Sequence, residues 1–374
     1  MKGAAEHTEL RILMTTDTVG GVWTYAITLC KALEPFHVRV YLVTAGAPVQ
    51  PAQKQEAECL EHVTLYETGF KLEWMEAPWD SIDAGAAWLL QLEEELQPDL
   101  IHLNGYVYGA LPWKAPVLVV AHSDVFSWWH AVKGEAPPAA WQEYYQRVGK
   151  GLQKADYLVA PTHSMLESIQ ELYSVSTQAL VIYNGRSLET FHPGKKKLFA
   201  FSMGRLWDEG KNIRLLMEAA PLFQNPMVIA GVNHFENHKH STEGTNLTYL
   251  GKLSEPDVAT QLSAASVYVL PAKYEPFGLS VLEAALSGCA LVLGNIGSLK
   301  ELWKDSAVYV DTDDARALAK TVNYLMQNEM VRQQYAQKAL EQAKAYTTTA
   351  MAAAYLQLYQ KLLAQKTTVK KDIV

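Results

Sequence analysis

The sequence predicts an α/β fold with two domains, each built around a parallel β-sheet. The 374 residues are enough for two domains of ordinary size, each with its own core. Short apolar segments typical of buried strands alternate along the chain with segments of helical periodicity. Residues 267–301 combine both patterns as a strand, a loop, a helix and a second strand. That succession is the repeating unit of a parallel sheet.

The composition indicates a globular protein of a reducing compartment. Hydrophobic residues make up 49% of the chain and charged residues 19%, which is not a disordered composition. No apolar segment is long enough to cross a bilayer, and the first ten residues lack the apolar core of a signal peptide. Cys30, Cys59 and Cys289 are odd in number and widely separated, as expected for free thiols. We therefore expect a cytoplasmic protein without a transmembrane segment, although peripheral membrane contact stays open.

The charge distribution argues against nucleic acid as a partner and favours an anionic ligand in the second half. The net charge is −8, whereas nucleic-acid-binding domains are usually basic. Residues 1–185 carry 11 Lys and Arg against 22 Asp and Glu, and residues 186–374 carry 21 against 18. The second half is thus the more basic one and would concentrate an anion at its surface.

The first domain opens with a strand at residues 10–14, a loop that ends in Gly20 and Gly21, and a helix at 22–33. The glycine pair does not match the dinucleotide-binding fingerprint, and a simple tight turn is the ordinary interpretation. A helix is predicted at residues 86–97. Further strands are predicted at residues 38–43, 63–66, 99–103, 117–121, 157–160 and 180–183.

Polar side chains follow two strands of the first domain. Asn104 comes after the strand at 99–103, and His122 comes after the strand at 117–121. In open α/β sheets such positions face ligands. His122 is either a ligand-binding residue or a satisfied structural histidine. The aromatic pair Trp128 and Trp129 is more typical of a core, but it could stack on a sugar.

The second domain is predicted to follow a polar linker at residues 186–197. Arg205 and Lys211 lie in the loop after its first strand, where an arginine can clamp a phosphate and a lysine can act as a point charge. His234, His238 and His240 are spaced like metal ligands but lack the rest of a ligand set, so no metal site is predicted. Strands are predicted at residues 198–203, 227–230, 267–270, 290–293 and 307–310, and helices at 255–265 and 279–287 and from residues 315 and 330.

The stretch at residues 267–301 carries the main functional pattern. Glu275 lies in the loop after a strand, Gly278 opens the next helix, and Glu283 lies within its first two turns. A helix start offers N–H groups and a positive dipole end to a phosphate, and a glycine there allows close approach. Carboxylates at this edge can accept hydrogen bonds from sugar hydroxyls. A phosphate site and two carboxylates at one sheet edge together suggest a nucleotide-sugar as the ligand. The alternative is that both glutamates are ordinary solvated residues near a helix N-terminus.

The residues Glu275-Pro276-Phe277-Gly278-Leu279, followed by Glu283-Ala284, Gly288 and the later Gly297 and Glu301, resemble the donor-site signature of family 4 retaining glycosyltransferases. That family has the GT-B fold, with two Rossmann-like parallel-sheet domains facing each other across a cleft. The resemblance implies transfer of a sugar, with retention, from a nucleoside diphosphate sugar to an acceptor hydroxyl. A UDP-sugar is favoured and a GDP-sugar comes next. The acceptor would be a carbohydrate, a lipid-linked sugar or a small molecule, in polysaccharide, glycolipid or glycoside biosynthesis.

The resemblance also implies a role for each matching residue. Arg205, Lys211 and the helix start at Gly278 would stabilise the leaving diphosphate, so that neither a metal nor another cofactor is required. Glu275 would bind hydroxyls of the donor sugar, and His122 would bind the transferred sugar. The implied catalytic residues are His122, Arg205, Lys211 and Glu275. The implied donor-binding residues are Gly20 and Gly21 beside the diphosphate, Leu253 beside the base, Pro276, Phe277, Gly278 and Leu279 in the donor loop, and Glu283 at the ribose.

The expected domains are residues 1–190, residues 191–345, and a C-terminal helix with a loose tail at 346–374 that returns to the first domain, as in the GT-B fold. Three other functions are compatible with parts of the pattern. Glu275 and Glu283 could form the carboxylate pair of a retaining glycosidase. The chain could also be a nucleotide-sugar 2-epimerase of the same fold, or a non-catalytic protein that binds a nucleotide-sugar.

Overall fold

A computed structural model describes residues 9–231 and 246–371, with side chains described as far as residue 366. The predicted His234, His238 and His240 group lies outside the described residues. The chain forms two compact units. Within the described residues, the first unit extends to Ser127 and adds Ala136–Tyr183 and the segment from Thr348 onward. The second unit contains Trp128–Glu135 and Asn184–Thr347. The short segment Trp128–Glu135 thus groups with the second unit, which the sequence pattern did not indicate.

The first unit contains a seven-stranded parallel sheet among its described residues. Its order is β3-β2-β1-β4-β5-β6-β7, and every neighbouring pair is parallel. The strands are β1 (Leu10–Asp17), β2 (Val38–Ala45), β3 (Val63–Tyr66), β4 (Leu100–Leu103), β5 (Val117–Val120), β6 (Tyr157–Ala160) and β7 (Ala179–Val181). The α-helices that follow these strands are α1 (Gly21–Leu33), α2 (Pro51–Glu58), α3 (Trp79–Leu96), α4 (Val125–Lys133), α5 (Gln142–Lys154) and α6 (His163–Tyr173).

The second unit contains a six-stranded parallel sheet among its described residues, in the order β10-β9-β8-β11-β12-β13. Its strands are β8 (Lys197–Met203), β9 (Met227–Ala230), β10 (Leu247–Tyr249), β11 (Ala265–Leu270), β12 (Ala290–Gly294) and β13 (Ala307–Val310). Its α-helices are α7 (Ile213–Ala219), α8 (Glu255–Ala264), α9 (Leu279–Leu286), α10 (Gly297–Trp303), α11 (Ala315–Gln327) and α12 (Glu329–Ala343). The last helix of the chain, α13 (Thr348–Lys371), belongs to the first unit.

Both sheets have the doubly wound strand order of Rossmann-like domains. In each, the first strand of the unit pairs with the second strand on one side and the fourth strand on the other. The order therefore reverses between β1 and β4 in the first unit and between β8 and β11 in the second. Ligands of such sheets bind beyond the carboxyl ends of the strands at this switch point. The predicted α/β class with two Rossmann-like parallel sheets is confirmed. The strand order predicts that ligands bind at the loops after β1, β4, β8 and β11.

The central strands form because nearly every residue in them is apolar. All residues of β4, β5, β6, β11 and β12 are buried, as expected for parallel strands covered on both faces. In the first unit, α13 adds Met351, Tyr355 and Tyr359 to the core that α1 and β1 share. The C-terminal helix is therefore an integral layer of the first unit.

Three predicted boundaries were wrong, each for a different reason. The predicted loop at residues 15–17 is the end of β1, which continues because its partner β2 also continues, with Asp17 opposite Ala45. Helix α3 starts at Trp79 rather than residue 86, since its first turn is largely polar and escapes the apolar periodicity. The tail after the C-terminal helix, predicted to be loose, is helical as far as Lys371, and no glycine or proline stops it before that residue.

Within residues 9–231 and 246–371, no helix combines the length and the apolarity that crossing a membrane requires.

Candidate functional site

The loop after β8 is organised around Asp208. Its carboxylate accepts a hydrogen bond of 2.7 Å from Arg205 Nη2, one of 2.9 Å from the Gly210 backbone N–H, and one of 3.1 Å from Trp128 Nε1. Burial opposes ionisation of this carboxyl, but the positive charges of Arg205 and Lys211 prevail and lower its pKa. Asp208 therefore stays ionised and fixes the start of the loop.

Arg205 is the exposed cation of this loop. Its side chain retains 38% of its accessible surface, and its guanidinium carbon lies 5.4 Å from the centre of the Trp207 ring. The contacts with Asp208 and Trp207 hold the guanidinium plane in place, and its Nε is buried. An arginine held in this way can meet an incoming phosphate with two parallel hydrogen bonds.

The loop after β8 is joined to the loop after β11 by backbone hydrogen bonds. The Gly210 carbonyl accepts from the N–H groups of Lys273 and Tyr274, at 2.9 and 3.1 Å. The Asn212 side chain donates to the Pro271 carbonyl at 2.9 Å. These bonds bring together Lys211 and Glu275, which are 64 positions apart along the chain. Lys211 Nζ lies 2.5 Å from Glu275 Oε2. The structure thus unites Lys211 and Glu275, two of the predicted catalytic residues, at the switch point of the second sheet.

Gly278 opens α9 directly after this pair. Its φ of +88° is in the left-handed region, and an added Cβ would lie 3.1 Å from Val281 Cγ2 and 3.3 Å from Glu275 Cγ. The backbone conformation therefore favours a glycine here, and an added Cβ would also press on Val281 and Glu275. The neighbouring Pro276 is half-buried, and Leu279 is the first residue of the helix. Phe277 is buried and packs edge-on against Tyr346.

Glu283 lies in the second turn of α9 and is buried. Its Oε1 is 2.9 Å from Arg186 Nε, and both side chains retain only 8% of their surface. Arg186 Nη2 also donates to Glu255 at 2.7 Å. Burial raises the pKa of Glu283 to about 7, against the opposing charge of Arg186. The carboxylate predicted to hold a ribose is thus already held by an arginine in the segment predicted as a linker.

The remaining predicted donor-binding residues lie in other loops. Gly20 precedes α1 with φ 100° and ψ −140°, a conformation that favours glycine, and Gly21 is the first residue of that helix. Both follow β1 at the switch point of the first sheet. Leu253 is half-buried in the turn before α8, in the second unit. The Gly231 N–H donates to the Gly251 carbonyl at 2.8 Å, which ties this turn to the loop after β9.

His122 follows β5 in the first unit and is half-buried. Its Nε2 lies 2.7 Å from Asn104 Oδ1, and the Tyr25 ring meets it edge-on at 4.4 Å between centroids. Burial lowers the pKa of His122 to about 3, so the ring is neutral at physiological pH. His122 is thus joined to the residue after β4, at the switch point of the first sheet.

Residues 9–231 and 246–371 contain no group of three or more His, Cys, Asp or Glu side chains placed to hold a metal ion. The cations of the loop after β8 are Arg205 and Lys211, and Lys273 in the loop after β11 pairs with Asp313.

Sequence reasoning missed two residues of the second unit. Asp208 lies within the loop already selected for Arg205 and Lys211, and a carboxylate between two such cations could have been noticed there. Arg186 could not be recognised as a site residue from the sequence. Its partner Glu283 is 97 positions away along the chain, and only the folded structure brings them together.

Comparison with known proteins identifies the family. Residues 19–190 match the model of Glycosyltransferase Family 4, and residues 188–342 match that of Glycosyl transferases group 1. The chain belongs to the family 4 glycosyltransferases, which have the GT-B fold. The resemblance stated from the sequence is therefore confirmed.

Similar proteins include two curated bacterial enzymes. O-antigen chain mannosyltransferase B of Escherichia coli is 29% identical over 149 residues, which are 37% of this chain and 39% of that protein. Phosphatidyl-myo-inositol mannosyltransferase of Mycobacterium leprae is 24% identical over 187 residues, which are 47% of this chain and 49% of that protein. The matched segments thus span less than half the length of these relatives.

Solved structures share the fold along almost the whole chain. Sucrose-phosphate synthase from Thermosynechococcus elongatus has a TM-score of 0.80 at 18% identity, covering 95% of this chain and 100% of that one. HepE from Anabaena in complex with UDP and glucose has a TM-score of 0.74 at 16% identity, covering 94% and 100%. At these identities, the likeness shows the GT-B fold alone.

Proposed function

We propose that the chain is a retaining glycosyltransferase that moves a sugar from a nucleoside diphosphate sugar to an acceptor hydroxyl. The observation that carries the proposal is the Lys211–Glu275 pair at the start of α9, with Arg205 on the adjoining loop. Two cations and a helix N-terminus suit a diphosphate, and the carboxylate suits sugar hydroxyls. All of them lie where doubly wound sheets bind ligands.

In the proposed reaction, the acceptor oxygen bonds to the anomeric carbon as the bond from that carbon to the diphosphate oxygen breaks. The acceptor approaches on the face from which the diphosphate departs, so the configuration is retained, and the acceptor proton passes to the leaving phosphate. Arg205, Lys211 and the N–H groups at the start of α9 stabilise the negative charge that develops there. Glu275 binds donor-sugar hydroxyls beside the positive anomeric centre. With these charges supplied by the protein, the proposed reaction requires no metal or other cofactor.

A UDP-sugar is the favoured donor and a GDP-sugar the next. The structure of HepE with UDP and glucose supports UDP as the nucleotide of a protein with this fold. The names of the two curated relatives concern an O-antigen chain and a phosphatidyl-myo-inositol. They support an acceptor in polysaccharide or glycolipid biosynthesis. Buried free thiols at Cys30 and Cys289 support a reducing, cytoplasmic compartment.

A thermal-shift screen with UDP, GDP, ADP and their sugars tests the donor site. One nucleotide is expected to raise the melting temperature, because a ligand at 100 times its Kd adds about 2.7 kcal/mol of stability. Arg205→Ala should abolish most of this shift. Arg214→Ala is the matched control, since Arg214 lies in α7 with 89% of its side chain exposed and pairs with Glu218. Equal shifts in both variants would contradict a role for Arg205, and no shift in the wild type would contradict the donor site itself.

Retention is tested separately by the anomeric configuration of the glycosidic bond in the product, measured from the proton NMR coupling constant of its anomeric hydrogen. An α-linked donor is expected to give an α-linked product, and a β-linked product would contradict the proposed mechanism. Phenol release from aryl glycosides would indicate a glycosidase. Donor turnover without acceptor, with solvent deuterium entering the sugar, would indicate an epimerase.

A further inference from the structure

Arg186 is held in place by contacts with its backbone and with its guanidinium. Its backbone N–H donates to the Tyr346 carbonyl at 3.2 Å, and its guanidinium carbon lies 4.8 Å from the centre of the Phe191 ring. Its Nη2 donates to Glu255 at 2.7 Å. All of these residues belong to the second unit. A buried guanidinium that is fixed on several sides imposes its own orientation on the carboxylates that pair with it.

Glu283 is the second carboxylate that pairs with this arginine. Its Oε1 lies 2.9 Å from Arg186 Nε, and no other cation among the residues that the structure describes forms an ion pair with Glu283. Gly278 caps α9 and Glu283 is the fifth residue of that helix, about 7.5 Å along its axis from the cap. The ribose of a nucleoside diphosphate is bonded directly to the diphosphate. A diphosphate at the start of α9 would therefore bring the ribose hydroxyls within reach of this carboxylate.

The charges that act on Glu283 are those of Arg186 and Glu255. Tyr268 of β11 is a further titratable neighbour, and burial raises its pKa, so it stays neutral. Strand β12 contributes no titratable side chain. The remaining acid of α8 and the charged side chains of α12, two helices that pack against α9, have partners of their own: Asp257 with Ser254, Glu329 with Gln333, Arg332 with the Leu325 and Met326 carbonyls, Lys338 with Asp305, and Glu341 with Lys344.

We propose that Arg186 is a positioning residue for ribose recognition, which fixes the Glu283 carboxylate so that it accepts hydrogen bonds from the ribose hydroxyls, and that Glu255 opposes this action through the same guanidinium. The inference rests on the proposed function, because it takes the ribose of a nucleoside diphosphate as the ligand. It adds a control of nucleotide affinity by two side chains outside the donor loop.

Ionisation of Glu283 gives this arrangement a pH dependence. Burial raises the pKa of Glu283 to about 7 against the charge of Arg186, with a smaller contribution in the same direction from the charge of Glu255. An ionised carboxylate accepts hydrogen bonds at both oxygens, whereas a protonated one carries a hydrogen on one of them. Recognition of the ribose hydroxyls should therefore be complete above the pKa of Glu283 and should weaken as the pH falls through it.

The contribution of the ribose hydroxyls is measured by calorimetry as the ratio of the Kd of 2′-deoxy-UDP or 3′-deoxy-UDP to the Kd of UDP, because this ratio cancels the titration of the phosphates. If the thermal-shift screen selects another base, the deoxy forms of that nucleotide are used. The wild-type ratio is expected to be about ten or more at high pH and to fall toward one as the pH drops below about 7.

Two variants should move this fall in opposite directions. Arg186→Gln removes the charge that favours the carboxylate, so the fall should shift to higher pH by about one unit or more. Glu255→Gln removes the opposing charge and leaves the pair of Arg186 and Glu283 in place, so the fall should shift to lower pH. A purely structural role would weaken the binding of all three nucleotides alike and would leave the pH of the fall unchanged.

Arg214→Gln is the matched control, because Arg214 is an exposed cation of the second unit that pairs with Glu218. Its profile should coincide with that of the wild type. The same profile in the wild type, Arg186→Gln and Glu255→Gln would overturn the positioning role. Binding of UDP with a ratio of one at every pH would overturn the ribose contact and leave the proposed function standing.

The titration of the Glu283 carboxyl can also be followed without a nucleotide. Carbon-13 NMR on protein labelled at glutamate measures it, with the signal assigned by its loss in Glu283→Gln. A pKa that Arg186→Gln leaves unchanged would overturn the role of Arg186, whether or not a nucleotide binds. Failure of the wild type to bind any nucleotide would instead contradict the proposed function, and with it the ribose contact.

Discussion

Replacing Lys211 with methionine is expected to lower kcat by a factor on the order of 10² to 10³, the usual cost of losing one preorganised charge at a developing anion. The same change should lower the free energy of unfolding by about 3 kcal/mol, because it leaves the buried Glu275 carboxylate without the cation 2.5 Å away. Steady-state kinetics and urea unfolding measure the two effects.

A double variant separates catalysis from stability at this pair. Adding Glu275→Gln to Lys211→Met removes the uncompensated charge, so most of the lost stability should return. Activity should stay at or below that of the single variant, since both charged groups are then absent. Recovery of activity together with stability would show that the pair serves only the fold.

Replacing Arg186 with leucine is expected to have the largest effect on stability outside the Lys211–Glu275 pair. Arg186 and Glu283 are both almost fully buried, and breaking such a pair from one side costs about 3–5 kcal/mol. The control is Glu255→Gln, which removes the other partner of Arg186 from a side chain that is 43% exposed. Glu255 is partly solvated and its removal leaves Arg186 paired with Glu283, so this control should lose much less stability than Arg186→Leu.

The loss of folding stability in Arg186→Leu should depend on pH. Burial raises the pKa of Glu283 to about 7, above the value of 4.5 for an unburied glutamate. The folded state therefore holds a proton that the unfolded state releases, and this group's contribution to stability falls as the pH rises between those values. Arg186 limits the loss by stabilising the ionised form.

Without Arg186 the pKa of Glu283 rises further, so the destabilisation should be largest at pH 8 and much smaller at pH 5, where the carboxyl is protonated. Melting temperatures of variant and wild type across this range provide the measurement. Adding Glu283→Gln should restore most of the stability at pH 8. A decrease in melting temperature that is equal at pH 5 and pH 8 would show that Arg186 acts through packing alone.

The sequence was sufficient to predict the two sheets and most residues at the switch point of the second one. Buried parallel strands are nearly all apolar, as in β11 and β12, and they stand out in the sequence. Lys211 and Glu275 were identified because each follows a strand, and parallel strands direct their carboxyl ends to one edge. Their mutual contact depends on backbone bonds from Gly210 to Lys273 and Tyr274, which no local pattern encodes.

The partners of Glu283 and His122 could not be predicted from the sequence, for a similar reason. Glu283 was expected to face a ligand because of its position in α9, but its nearest charge comes from Arg186 in a segment without secondary-structure periodicity. His122 was selected by position, whereas its contact with Asn104 depends on the register that sets β4 beside β1. Such pairings arise from tertiary structure, where residues distant in sequence share one edge of a sheet.

The most direct test of the account is the diffraction of crystals grown with the nucleotide that the thermal-shift screen identifies. We predict electron density for the diphosphate within hydrogen-bonding distance of Arg205, Lys211 and the N–H groups at the start of α9, with the ribose against Glu283. A nucleotide bound elsewhere on the chain, or a diphosphate out of reach of both cations, would contradict the proposed donor site.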